Sequence, residues 1–216
     1  MPKAGQNPCI YVLAGTNGAG KSSIGGAMFR QRGAEYFNPD EAAQRILSAN
    51  PAITQEKANS VAWNEGKRLL ERAITERCNF AMETTLGGHS LAALLEKATL
   101  AGIEVRVWYV GLENPELHIA RVRARVERGG HDIPEAKIRE RYARSLWNLI
   151  QLLPKLTEAF VYDNSEEADP HSGHAPNPKL ILHARKGKTL ATCDLKEAPN
   201  WAKPILMAAL HAFANQ

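Results

Sequence analysis

Three cysteines in 216 residues, Cys9, Cys78 and Cys193, are odd in number and far apart. They exclude a disulfide framework and match no metal-ligand spacing. Cys9 and Cys78 fall where strands should begin, so buried free thiols are expected there. No apolar run approaches the roughly 20 residues that span a bilayer. Met1 to Pro8 is polar and lacks the apolar core of a signal peptide, which points to the cytoplasm. Repeats and low-complexity tracts are absent. Charge of one sign is scarce too: 27 basic against 23 acidic residues leave a mild +4. Basic residues are not interleaved with aromatics, so no platform for single-stranded nucleic acid is expected, and nucleic acid is not the expected principal partner. The N-K-x-D and D-x-x-G motifs of guanine-nucleotide switches and the L-S-G-G-Q signature of transporter ATPases are also missing. What remains is one ordinary globular domain, 44% hydrophobic, long enough for a full core.

One motif dominates what is present. Gly15-Thr16-Asn17-Gly18-Ala19-Gly20-Lys21-Ser22 fits G-x-x-x-x-G-K-[ST] at every fixed position. Cys9 to Ala14 before it reads as a buried strand, and the residues after it can open a helix. A strand feeding a glycine-rich turn and then a helix aims successive backbone N–H groups at one point, where they cradle phosphate oxygens. Lys21 would reach the β- and γ-phosphates and the Ser22 hydroxyl would hold Mg²⁺. Ser23 and, from further along the chain, Asn164 join Gly15 to Ser22 as candidate nucleotide-binding residues.

Around the motif, strands and helices alternate. Strands are expected at Ile10–Leu13, Glu35–Phe37, Asn79–Glu83, Ile103–Val110 and Ala159–Tyr162. Helices are expected at Lys21–Arg32 (ended by Gly33), Pro39–Ser48, Gln55–Arg77, Ser90–Ala101, Asn114–Arg128, Ile133–Leu153 and Trp201–Ala214. Val61, Leu69, Leu70 and Ile74 are expected on the apolar side of the third helix. The alternation predicts an α/β nucleotide-kinase-like fold, a parallel five-stranded sheet with helices on both faces. A mobile loop at Glu166–Pro178 and a small terminal hairpin, Lys179–Arg185 with Lys188–Thr192, follow. The four tryptophans read as core or helix packing, with Trp63 alone on a helix that can border an acceptor pocket.

In a parallel sheet, ligands gather at the carboxyl ends of the strands. Asp40 after strand two, Glu83 at the end of strand three, and Asp163, Asn164 and Ser165 after strand five all arrive at the edge that carries the loop. Asp40 is the candidate general base toward an acceptor hydroxyl, set against a helix-cap role for Asn38-Pro39-Asp40. Glu83 is a candidate for coordinating Mg²⁺ through water or for bonding the acceptor. The segment from about 114 to 153 is the expected lid. Arg121, Arg125 and Arg128 share one helix face and Arg141 and Arg144 share another. Arg121, Arg128, Arg141 and Arg144 are the candidate phosphate clamp. His131, in the Gly129-Gly130-His131 turn, can face phosphate or substrate.

Taken together, Ala14 to Ser23, Asn38-Pro39-Asp40 and Met82-Glu83-Thr84-Thr85-Leu86 resemble the zeta-toxin family of P-loop kinases. Arg128-Gly129-Gly130-His131-Asp132-Ile133-Pro134-Glu135 and Arg141-Tyr142-Ala143-Arg144-Ser145 resemble its short chromosomal branch, whose members are often described only as predicted ATPases. The resemblance covers about Ile10 to Ser165. It implies transfer of the ATP γ-phosphate to a sugar hydroxyl of a UDP-sugar, and a cognate antitoxin as partner. It also implies Asp40 as base, Glu83 as the substrate-contacting glutamate, Lys21 and Ser22 as the loop lysine and Mg²⁺ hydroxyl, and lid arginines within Arg121 to Arg141. The chain is shorter than the best-known members and lacks much of the material that shapes their sugar-nucleotide pocket. ATP and Mg²⁺ therefore carry over well, while the acceptor does not. A polynucleotide or other metabolite kinase, and a non-catalytic nucleotide-binding module, are the rival readings.

Overall fold

The computed structural model describes residues 7–21, 35–166 and 177–213. Ser22, Ser23, the rest of the helix expected after the loop, and Gly33 lie outside them. Seven strands form one sheet: β1 (Cys9–Ala14), β2 (Glu35–Phe37), β3 (Phe80–Thr84), β4 (Glu104–Gly111), β5 (Glu158–Asp163), β6 (Lys179–Arg185) and β7 (Lys188–Thr192). Their order is β2-β3-β1-β4-β5-β6-β7. The first five are parallel, as the alternating pattern demands, with Val12 in register with Met82 on one side and Val107 on the other. β1 therefore sits at the centre, where the chain's direction of progress across the sheet reverses. A crevice opens there beyond the strand ends.

The terminal hairpin is not a separate appendage. β6 pairs antiparallel with β5, and β7 with β6, so the hairpin extends the sheet from five strands to seven. The physical reason lies in its inward residues. Ile181, Leu182 and Ala184 are buried and continue the core past β5, whose edge would otherwise stay open.

Among the described residues there are six α-helices: α1 (Pro39–Ala49), α2 (Gln55–Thr75), α3 (His89–Leu100), α4 (Pro115–Glu127), α5 (Glu135–Leu152) and α6 (Lys203–Phe213). None is long and apolar enough to cross a membrane. Ile10, Val12, Val105, Val107 and Tyr109 project from one sheet face into a core shared with α1, α2, α3, α5 and α6. Leu13, Trp108 and Val110 project from the other. Cys9 is buried and Cys78 partly so, neither of them in a disulfide.

Two apolar expectations change. The inner side of α2 is Ala58, Ala62, Gly66, Leu69, Leu70, Ala73 and Ile74, and Val61 falls outside that stripe, exposed. Trp147 is 58% exposed, because the buried stripe of α5 passes through Ser145, Asn148, Leu149 and Leu152 instead. Trp108 and Trp201 are buried as expected. Helices α4 and α5, with Ile133 between them, have a small core of their own: Ile119, Val122, Ile133 and Ile138. The second half of α5 belongs to the main core through Leu149 and Leu152.

Candidate active site

The loop after β1 is built on backbone that only glycine adopts readily. Gly15 has φ +141°, and a Cβ there would lie 2.2 Å from the carbonyl oxygen of Val110 on the neighbouring β4. Its N–H donates to Thr84 O of β3 at 3.2 Å, so the turn is pinned from both flanking strands. Gly15→Ala combines left-handed strain with a backbone clash. It is expected to destabilise the fold by about 3 kcal/mol, read as a lowered midpoint of urea unfolding. An unchanged midpoint would mean the loop is free to adopt another path.

Lys21 closes the loop, its Nζ donating to Gly15 O at 2.8 Å. Burial lowers the pKa of this ammonium. Glu83 and Asp40 pull it back up, and Arg125 and Arg141 push it down again. All five charges thus belong to one cluster. Glu83, 5% exposed at the end of β3, accepts a hydrogen bond from Tyr36 of β2. Asp40 stands in the first turn of α1. Asn38 is the cap of that helix, its Oδ1 accepting from the N–H groups of Asp40 at 2.9 Å and Glu41 at 3.3 Å. The capping duty therefore falls on Asn38, and the Asp40 carboxylate is left to the cleft, where its Oδ2 lies 3.9 Å from Arg125.

Beyond Asp40 lies a cavity of about 900 Å³. Gln55, Asn59 and Trp63 of α2 form one wall. Thr84 of β3 and Thr85 just after it line it, as do His131 after α4 and Lys137 and Arg141 of α5. Helix α5 is tied to the backbone just after β3 by hydrogen bonds. Ser145 donates to Thr85 O at 2.7 Å and Asn148 to Leu86 O at 2.8 Å. Asn164, 4% exposed after β5, donates from its amide to Ala19 O at 2.9 Å and supports the loop from below.

The residues present fit a bound nucleoside triphosphate. The turn is left-handed at its glycines, Lys21 points back into it, and Thr16 carries a buried hydroxyl with no partner among the described residues. Those residues hold no group of three His, Cys, Asp or Glu that could cage a metal. A Mg²⁺ held mainly by phosphates, water and a hydroxyl needs no such group.

A family model described as Zeta toxin matches residues 1–170. The chain belongs to the zeta toxin family. An uncharacterized protein of Haemophilus influenzae is 34% identical over 138 residues, which is 63% of this zeta toxin family member and 94% of that protein. In fold, the chain is similar to the AvrRxo1-ORF1:ORF2 complex with ATP (TM-score 0.69, 12% identity, 93% of this chain and 65% of that one). It is similar also to the PezAT chromosomal toxin–antitoxin system of Streptococcus pneumoniae (TM-score 0.61, 16% identity, 99% of this chain and 88% of that one). The chain thus spans just under two-thirds of the AvrRxo1 chain it matches.

Within this zeta toxin fold, the candidate residues from the sequence divide into two groups. Lys21, Asp40, Glu83 and Arg141 gather at the loop, Arg141 donating to the side chain of Asn17 at 2.9 Å. Arg121 reaches Glu166 O at 3.0 Å, beside the end of β5. Arg128 is exposed just past α4, and Arg144 is exposed and paired with Glu140 at 2.6 Å, so neither lines the cavity. Arg125 takes the place nearest Asp40, with its NH2 held on His131 O at 3.0 Å. Its spacing four residues after Arg121 put it on the right helix face, and that was the available signal. Tyr36 and His118 had none: one is a strand aromatic, the other a lone histidine on an amphipathic helix.

Proposed function

We propose that this member of the zeta toxin family is an ATP-dependent small-molecule kinase that transfers the γ-phosphate to a hydroxyl of a nucleotide-sugar or related acceptor. The observation that carries the reading is the charge cluster of Lys21, Asp40 and Glu83 at the loop, with Asp40 and the loop residue Asn17 lining one cavity. That volume suits an acceptor of nucleotide-sugar size rather than a lone small alcohol, by the range of typical ligand pockets.

In this reading the amides of the loop and the Lys21 ammonium hold the triphosphate. Asp40 accepts the proton of the acceptor hydroxyl as its oxygen bonds to the γ-phosphorus and the bond to the ADP oxygen breaks. Glu83, oriented by Tyr36, holds the acceptor. Arg141, bonded to Asn17 of the loop, offsets the charge of the transferred group, with Arg121 at the end of β5 in support. Trp63, 45% exposed on the cavity wall, offers an indole face to a ring of the acceptor. The Ser22 hydroxyl, and Glu83 through water, are the proposed holders of a Mg²⁺, which would supply positive charge to neutralise the phosphates. A cognate antitoxin is the proposed protein partner, in keeping with the PezAT likeness.

The polynucleotide reading gains little from the lid. Arg123 pairs with Glu135, Arg139 with Glu116 and Arg144 with Glu140, so much of the basic stripe is neutralised within the chain. The decisive experiment is incubation with γ-labelled ATP and Mg²⁺ beside a panel of UDP-sugars, a metabolite extract and a short oligonucleotide, followed by mass spectrometry. A gain of one phosphate by a nucleotide-sugar is the expected result. Label on the oligonucleotide alone would replace the proposed acceptor class, and no labelled product at all would leave a nucleotide-binding module.

A further inference from the structure

The second variable position of the G-x-x-x-x-G-K-[ST] motif places no demand on its side chain. In this chain that position, Asn17, is buried and contacted from both lid helices. From α4, His118 bonds its backbone carbonyl, Nδ1 to O, at 2.8 Å. From α5, Arg141 donates to its side-chain Oδ1 at 2.9 Å.

We propose that Asn17 is a latch that registers the lid against the loop, with His118 and Arg141 gripping its two oxygens, one from each lid helix. The inference rests on the kinase reading for its catalytic consequence, though not for its mechanical one.

Several independent contacts make the His118 grip rigid. The ring is 1% exposed. Burial pushes its pKa down to about 4; the bond to Asn17 opposes that shift, and Lys21 and Arg121 add to it. The imidazole is neutral near pH 7 and has one N–H. Facing a carbonyl oxygen, that hydrogen must be on Nδ1. Nε2 is then a buried acceptor with no partner among the described residues, an arrangement retained at a cost. The ring stands edge-on to Tyr142 of α5, centroids 5.5 Å apart, and Tyr142 itself donates to Glu113 O at 3.0 Å. The backbone of α4 touches the loop as well: a Cβ on Gly18, whose φ is +83°, would lie 2.7 Å from His118 O.

Arg141 has the complementary part. It lines the cavity and is partly desolvated, which lowers its pKa against the upward pull of Asp40 and Glu140. A desolvated guanidinium needs a fixed acceptor to hold its direction. Asn17 Oδ1 supplies one that is neutral, so it aims the cation without adding negative charge where phosphate would lie. With one oxygen on each helix, Asn17 makes any shift of the lid pull on the loop.

The test uses the full chain and two readouts. The first is hydrogen exchange of amides across residues 115–148 without nucleotide. The second is ATP hydrolysis with Mg²⁺. Asn17→Ala is expected to speed lid exchange about tenfold and to lower kcat about 10- to 100-fold, with a smaller change in KM for ATP. Asn17→Asp, which turns the neutral acceptor into an anion, is expected to keep the lid protected yet still lose turnover. His118→Asn places a donor near Nδ1 and is expected to stay within about threefold of wild type, while His118→Phe behaves like Asn17→Ala. Wild-type exchange and wild-type kcat in Asn17→Ala would overturn the latch, as would equal loss in both His118 variants. A wild-type protein that hydrolyses no ATP in the absence of an acceptor leaves the kinase reading to the acceptor-labelling experiment. Lid exchange then decides alone: faster in Asn17→Ala upholds the latch, unchanged removes it.

Discussion

Asp40→Asn is expected to slow phosphoryl transfer to the acceptor by about 10²- to 10⁴-fold, the range ascribed to a positioned general base. ATP binding should stay within about threefold of wild type, since the substitution removes an interaction with the reacting hydroxyl rather than with the triphosphate. The cap of α1 is unaffected, because Asn38 provides it. The asparagine keeps the size of the side chain, and Arg125 keeps its bond to His131 O. A loss of transfer without a loss of fold is therefore attributable to the carboxylate. Calorimetric titration with ATP and a rate of labelled product formation check the two halves separately. A variant that phosphorylates acceptor at the wild-type rate would remove Asp40 from the mechanism.

Lys21→Met is expected to lower turnover about 10²- to 10³-fold, the loss typical of removing one preorganised donor from a developing charge. The fold is expected to survive it. The ammonium is desolvated, and burial is the main reason its pKa is depressed, so the charged form is held there against its solvation preference. Methionine has nearly the same length and carries no such penalty. Urea unfolding should show a midpoint equal to or above that of wild type, beside an ATP turnover assay near background. A midpoint that collapses together with activity would mean that the bond from Lys21 to Gly15 O carries the loop's structure.

Much of the fold was legible because local chemistry and tertiary need agree in it. Asn114 caps α4 by accepting from Leu117 N–H at 2.9 Å, and Pro115 follows at the first helical position, as its fixed φ favours. The ranges of β2, β6 and β7 were readable to the residue, since turn residues bracket short runs of strand-formers. The destination of the hairpin was not readable. Pairing partners of a strand depend on which edge is open, and no local pattern in Lys179–Thr192 records that β5 is exposed on one side. The site shows the same division. Lys21, Asp40 and Glu83 follow from strand order alone, because each ends or follows a parallel strand. Arginines on a helix reveal a face and not a partner. Arg125 meets Asp40 while Arg144 meets its own neighbour Glu140, and only the packing of α4 and α5 separates the two.

The family match stops at residue 170, but the folded unit does not. Trp201 lies over Gly111, where a Cβ would come within 2.3 Å of its ring, and its indole N–H donates to Asp163 at 3.0 Å. Ile205 and Leu206 are buried behind it. A polypeptide trimmed at the homology boundary would strip this cladding from β4 and β5, the strands that also carry Val110 against Gly15 and Asn164 beneath Ala19. Trp201 and the helix after it, though outside the family match, thus act as the backing plate of the nucleotide loop, and truncation variants would report on that support rather than on chemistry.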